Sequence, residues 1–208
     1  MLGSLLAVLA IGSGQKRYKL NDFKLRSTEG RLYHLTSLTA GKPCLIFFLR
    51  PTIDGVADPK TGAYLRTWLN GFERPNGVRD INRLASMVKG KMRVAAFSYQ
   101  SPRILRVLAK AAGIRFLMLG EDGEGSSLGL INQILVGTNW RDLHHLQNVL
   151  ILPDGTLGAV WPGYSRASLA QMQRIVGDRT GTRLHLDLSK FPRKIQSGQA
   201  EMYGLPGP

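Results

Sequence analysis

Residues Cys44-Leu45-Ile46-Phe47-Phe48-Leu49 form an unbroken apolar run between Pro43 and Pro51. The run is too short for a buried helix, and a proline at each side stops any regular element from extending through it. It reads as a short strand. A strand with one wet face alternates polar and apolar positions, and this one does not, so it is covered on both faces. That places it inside a largely parallel sheet layered between helices, the α/β class. At its carboxyl end the chain enters Arg50, Pro51, Thr52, Ile53, Asp54, Gly55, Val56 and, after Ala57, Asp58. Open α/β sheets put ligands and chemistry beyond the carboxyl ends of their strands, so this loop is the first candidate site.

The flanking chain supplies matching elements. Phe23 to Leu35 reads as a β-hairpin turning at Ser27-Thr28-Glu29-Gly30, with His34 on the surface. Leu65, Trp68, Leu69 and Phe72 fall at helical spacing; Pro75 ends that helix and Asn76 caps the next, which carries Val78, Ile81, Leu84, Ala85 and Val88. Met92 to Tyr99 reads as a second parallel strand. Ser101 and Pro102 then open a helix that Gly113 closes, with Ile104, Leu105, Val107 and Leu108 on its apolar face. Arg103, Arg106 and Lys110 share the opposite face. Phe116 to Leu119 is a short strand, and Ser126 or Ser127 caps a helix through Leu128, Ile131, Ile134 and Leu135. Asn148–Leu152 and Leu157–Trp161 form a hairpin around Pro153-Asp154-Gly155. A last helix, with Ser168 and Gln171 spaced as a capping box and Gly177 at its end, turns Leu169, Met172, Ile175 and Val176 inward. Leu184, Leu186 and Leu188 alternate like an edge strand before the pattern fades.

Two stretches resemble the redoxins, the thioredoxin-like peroxiredoxins (AhpC/TSA-like) and membrane-tethered thiol–disulfide proteins (TlpA-like). Asp22-Phe23-x-Leu25, then Glu29-Gly30-Arg31-x-Tyr33-x-Leu35 and Leu38-x-x-Gly41-Lys42-Pro43, follow their F-x-L-x-x-x-x-G-K-x-x-x-L-x-x-L-x-G-K-P pattern. Val149 to Gly155, with Gly163 beyond it, is similar to their closing hairpin. The resemblance implies a thioredoxin-like fold over residues 18–180, a central mixed sheet flanked by helices with an N-terminal β-hairpin. It also implies a nucleophilic cysteine in the loop after the central strand, and there is none. In the thioredoxin-like register the two cysteines fall on Ile53 and Val56; in the peroxiredoxin register, anchored on Pro51, the nucleophile falls on Asp58 and the family threonine on Gly55. The family's cis-proline, which faces that loop, aligns with Leu146. Arg50 to Asp58 is therefore expected to be a degenerate active-site loop.

The single cysteine, Cys44, excludes an internal disulfide and any cysteine-based zinc site. It stands where these families carry an apolar residue, and a buried thiol is inert. The adjacent His144-His145 could occupy the histidine place of thioredoxin-like copper chaperones, but the soft sulfur ligands are absent. The acidic loop Glu121-Asp122-Gly123-Glu124 lacks EF-hand spacing. No metal or cofactor is expected.

Charge is the other constraint. The chain of 208 residues carries a formal +14, and between Pro59 and Leu119 twelve Lys or Arg face only Glu73 and Asp80. No solid basic block or interleaved aromatic set marks a nucleic-acid binder. An anionic surface met by Arg103, Arg106 and Lys110, and a protein partner of unknown identity, are the expected contacts. The apolar run Met1 to Gly12 has the length of an export signal (residues 1–14), too short to span a bilayer, though no basic residue precedes it; the alternative is an apolar N-terminal segment packed as a helix or strand. The sequence thus reads as an exported or membrane-associated, redox-inactive redoxin-fold binding module, otherwise a cytoplasmic one, with residues 181–208 as a tail. The alternative is a peroxiredoxin-like or thiol–disulfide oxidoreductase using Cys44 or a partner's thiol. Carboxylate chemistry by Asp54 and Asp58 beside Arg50 has no supporting triad.

Overall fold

The structure, a computed structural model, describes residues 9–10, 18–48, 77–98, 100–121, 130, 133, 148–161 and 164–193. Among the described residues eight strands make one sheet: β1 (Leu9–Ala10), β2 (Lys24–Ser27), β3 (Leu32–His34), β4 (Cys44–Phe48), β5 (Arg93–Ser98), β6 (Leu117–Gly120), β7 (Asn148–Ile151) and β8 (Leu157–Trp161). The helices are α1 (Leu35–Thr39), α2 (Gly77–Met87), α3 (Pro102–Ala112) and α4 (Arg166–Thr180). The strand order is β1-β8-β7-β4-β5-β6-β2-β3. β4, β5 and β6 run parallel, while β7 returns antiparallel to β4 and β8 antiparallel to β7. A parallel β4-α2-β5 unit, followed by the β7–β8 hairpin and α4 with β4 beside β7, is the thioredoxin-like arrangement.

The two-sided burial expected of the central strand is present. Successive side chains of a strand point to opposite faces. Leu45 and Phe47 enter a core with Ile81 and Leu84 of α2, Leu105 and Leu108 of α3, and Met172 and Val176 of α4. Cys44 and Ile46 enter the other core with Phe23, Leu38 and Leu130. Each large apolar side chain so buried contributes about 1.5–3 kcal/mol. The hairpin β2–β3 turns as expected, with Gly30 at φ +87°. Among the described residues no helix is long and apolar enough to cross a membrane.

Local signals held where the cap chemistry was unambiguous. Ser101 Oγ accepts from Ile104 N–H (3.5 Å), and Gly113 ends α3 in the left-handed conformation. α4 departs from the sequence reading. It starts one turn earlier, at the cap Ser165, whose Oγ accepts from Ser168 N–H (3.3 Å), and runs past Gly177 to Gly181. Arg166 fixes that first turn by donating to the carbonyls of Phe191 and Ser189, both at 2.7 Å. The same tie explains a second correction. Leu184, Leu186 and Leu188 form no strand: Gln173 Oε1 accepts from Leu186 N–H (2.7 Å), a 3₁₀ turn spans Leu188–Lys190, and Leu184 and Phe191 are buried against the helical core. α1, unforeseen, is opened by Asp22, which accepts from Leu35 N–H (2.8 Å), and by His34 N–H donating to Ser37 Oγ (2.8 Å).

Candidate functional site

The loop residues Arg50, Pro51, Thr52, Ile53, Asp54, Gly55, Val56 and Asp58, and the facing Leu146, lie outside the described residues, as do His144 and His145. What the structure does place at the ends of β4 and β5 and in the last residue of β6 is close-packed and apolar or uncharged, with Glu121 following directly after β6. Phe48 meets Phe97 edge to face, with centroids 5.5 Å apart at 71°. Ser98 is buried, and its Oγ accepts from Gln100 N–H (3.2 Å). Gly120 sits so close to the turn after β5 that a Cβ there would lie 2.6 Å from the Gln100 carbonyl oxygen. Asn148 opens β7 opposite Phe47 and is buried. Sequence reasoning passed over this amide; its signal was one polar residue heading the apolar Val149-Leu150-Ile151.

Cys44 lies at the other end of β4. Four strand steps of about 3.3 Å put it about 13 Å from Phe48, where the strand delivers its loop. Its side chain is fully buried. Burial pushes the thiol up to about 12; Arg93, its partner residue across β5, pulls the other way and is outweighed. At pH 7 the group is therefore a thiol, and only the thiolate attacks disulfides or peroxides. Arg93 is the one activating influence among the described residues, and without solvent access it does not offset the burial of the thiol.

The three cations of α3 stand exposed in a row, but they are not equivalent. Arg106 Nε donates to the Thr28 carbonyl (2.5 Å), binding α3 to the β2–β3 turn. The neighbouring Glu29 carboxylate is held below its ordinary value, mainly by the Thr28 hydroxyl (2.6 Å), against burial and with help from Arg106. Arg106 is thus partly committed to the fold, leaving Arg103 and Lys110 as the outward charges. A denser collection lies elsewhere. A groove of about 950 Å³ at the amino ends of β4, β5 and β6 is lined by Lys42, Arg79, Arg83, Lys89, Arg93 and Arg115, with no carboxylate among its lining residues. The sequence showed these residues only as members of a long basic stretch.

His34, expected at the surface, is half-buried and pairs through Nδ1 with Asp22 Oδ2 at 2.7 Å. Burial would raise the Asp22 carboxyl, yet His34 and the backbone N–H groups of Leu35 and Phe23 hold it below its ordinary value. This pair serves the start of α1. No three His, Cys, Asp or Glu converge as a metal site among the described residues.

No protein-family model and no curated protein sequence matches this chain. Solved structures do. A candidate electron transfer protein from Aquifex aeolicus VF5 superposes with a TM-score of 0.53 at 14% identity, covering 78% of this chain and 97% of that one. Peroxiredoxin Q of Xanthomonas campestris gives 0.45 at 15% identity, over 76% and 91% of the two chains. A candidate protein disulfide isomerase from Bacteroides thetaiotaomicron gives 0.47 at 16% identity, over 79% and 89%. The structural neighbours are thioredoxin-like redoxins, and at such identities the likeness concerns the fold.

Proposed function

We propose that this chain is a redox-inactive thioredoxin-like protein, exported from the cytoplasm, that works as a binding module. The observation that carries the reading is the place of its sole thiol. Cys44 is buried in the sheet at the end of β4 away from the loop, with its thiol raised to about 12. A redoxin without a thiolate at the mouth of its loop keeps the scaffold and has no nucleophile of its own.

The test is catalytic. Purified protein is assayed for reduction of insulin disulfides and for peroxide consumption, beside Cys44→Ser. Both proteins are expected to stay at background. Turnover that Cys44→Ser abolishes would install the oxidoreductase reading instead. Export rests on the apolar run from Met1 to Gly12. Leu9 and Ala10 pair with Val160 and Ala159 of β8, so these two residues have a place in the fold if they are retained. Cell fractionation with intact-mass measurement checks both points: the protein is expected outside the cytoplasm, and a purely cytoplasmic chain would end the export proposal.

A further inference from the structure

The groove at the amino ends of the parallel strands is not accounted for by the fold. We propose that it docks an acidic, partly aliphatic peptide segment of a partner protein. This inference rests on the binding-module reading above and supplies it with a surface and a ligand chemistry.

Six cations line the groove without a carboxylate. Two are anchored: Arg83 donates to the Lys190 carbonyl (2.8 Å), and Arg93 donates to the Ser37 carbonyl (2.7 Å) while lying over the Tyr33 ring. Lys42, Lys89 and Arg115 have no side-chain partner among the described residues. Asp80, buried in the first turn of α2, lies 3.8 Å from Arg83 and does not itself line the groove. α2 and α3 both end at this pole, and a helix carboxyl terminus carries about half a negative charge. Two such ends, with the Asp80 carboxylate 3.8 Å from Arg83, offset roughly two of the six positive charges, so the rest repel one another unless an anion enters.

The shape selects among anions. The walls also hold Val78, Ala85, Met87 and Ala112, which are only partly buried, so a ligand gains by placing aliphatic groups between its carboxylates. A flat bilayer cannot follow a concave groove to those side chains. Stacking of bases needs exposed rings, and Phe116 is 8% exposed. The volume lies at the upper end of the roughly 300–1,000 Å³ of ligand pockets, far more than a lone phosphate would fill.

The experiment titrates the full chain into a fluorescein-labelled alternating Glu–Leu peptide and follows anisotropy. Saturable binding is expected, with none to a Lys–Leu peptide of equal length. Lys89→Glu with Arg115→Glu should weaken it about tenfold or more, whereas Arg103→Glu with Lys110→Glu on α3 should leave it within about twofold. Should the glutamate pair fail to fold by circular dichroism, Lys89→Gln with Arg115→Gln carries the same expectation. The proposal falls if no saturable binding occurs, if both double variants weaken it equally, or if the protein ignores the peptide but binds phosphatidylserine vesicles or a single-stranded oligonucleotide. Absent peptide binding with a silent thiol removes this inference alone. Peptide binding together with Cys44-dependent turnover removes the earlier reading alone.

Discussion

The two ends of the parallel strands are built from different materials. At the carboxyl end, β4, β5 and β6 finish in Phe48, Ser98 and Gly120, with Asn148 beside them, and all four are spent on contact: an aromatic pair, a buried hydroxyl, a backbone approach and a buried amide. At the amino end the same strands are entered from Lys42, Arg93 and Arg115, which line an open groove. In an α/β sheet the carboxyl end is where ligands are ordinarily bound. Here the described residues at that end hold the fold, and the uncompensated charge has collected at the opposite pole. Stability and binding can therefore be probed separately by choosing the end at which to mutate.

The largest effect should come from Phe97→Ala. Phe97 is fully buried and meets Phe48, so its loss leaves a cavity and is expected to cost about 3–5 kcal/mol in urea unfolding. Arg115→Ala, at the amino end, should stay within about 0.5 kcal/mol of the parent. Equal losses would break the comparison, because the groove would then be a packing surface. Next comes Gly120→Ala. The added methyl would stand 2.6 Å from a carbonyl oxygen, so backbone must move, and about 1–3 kcal/mol of destabilisation is expected in the same measurement.

Cys44→Ser sharpens the contrast from inside the sheet. A hydroxyl at this fully buried position demands a partner that a thiol does not, and leaving it unpaired is expected to cost about 1–3 kcal/mol. The parent's thiol should react with a maleimide only at the rate of unfolding, which stopped-flow labelling in rising urea measures. Fast labelling of the native protein would move the sulfur out of the core.

What the sequence made legible follows from how locally each feature is determined. The unbroken run Cys44–Phe48 dictated two-sided burial, and Ser101-Pro102 with Gly113 fixed α3, because pattern and cap sit within one element. α1 escaped notice: five residues show no period, and its start depends on Asp22, thirteen positions from the N–H it caps. The Leu184-Leu186-Leu188 alternation looked like a strand because packing beside α4, with Gln173 as anchor, can also repeat at every second residue. The α4 cap was misplaced because Ser165 and Ser168 satisfy the same rule one turn apart. For the site the gap was wider. Lys42, Lys89 and Arg115 lie far apart in the chain, and only the parallel topology, which returns each strand start to one pole, brings them together.

The smallest effect concerns whether the groove's excess charge is real on its α2 side. Asp80 is buried in the first turn of α2, and burial raises its carboxyl above the usual 3.8, with Arg83 (3.8 Å away) and Arg79 pulling back. On an acid titration in reverse, the unfolded chain loses this proton near 3.8 while the folded chain still holds it. Over that window the folded state binds more protons, so the Asp80 contribution to stability is full below 3.8 and is lost as pH climbs through the raised folded value. Asp80→Asn has no proton to lose. Asp22 and Glu29, held below their ordinary values, act in the opposite sense but are common to both proteins and cancel in the difference. The variant should therefore gain on the parent as pH rises above about 4, by less than about 1 kcal/mol, read from paired urea midpoints. A difference that does not change with pH would mean that Arg79 and Arg83 neutralise Asp80 as well as water does. Those two cations would then be compensated from behind, and the excess in the groove would shrink to Lys42, Lys89, Arg93 and Arg115.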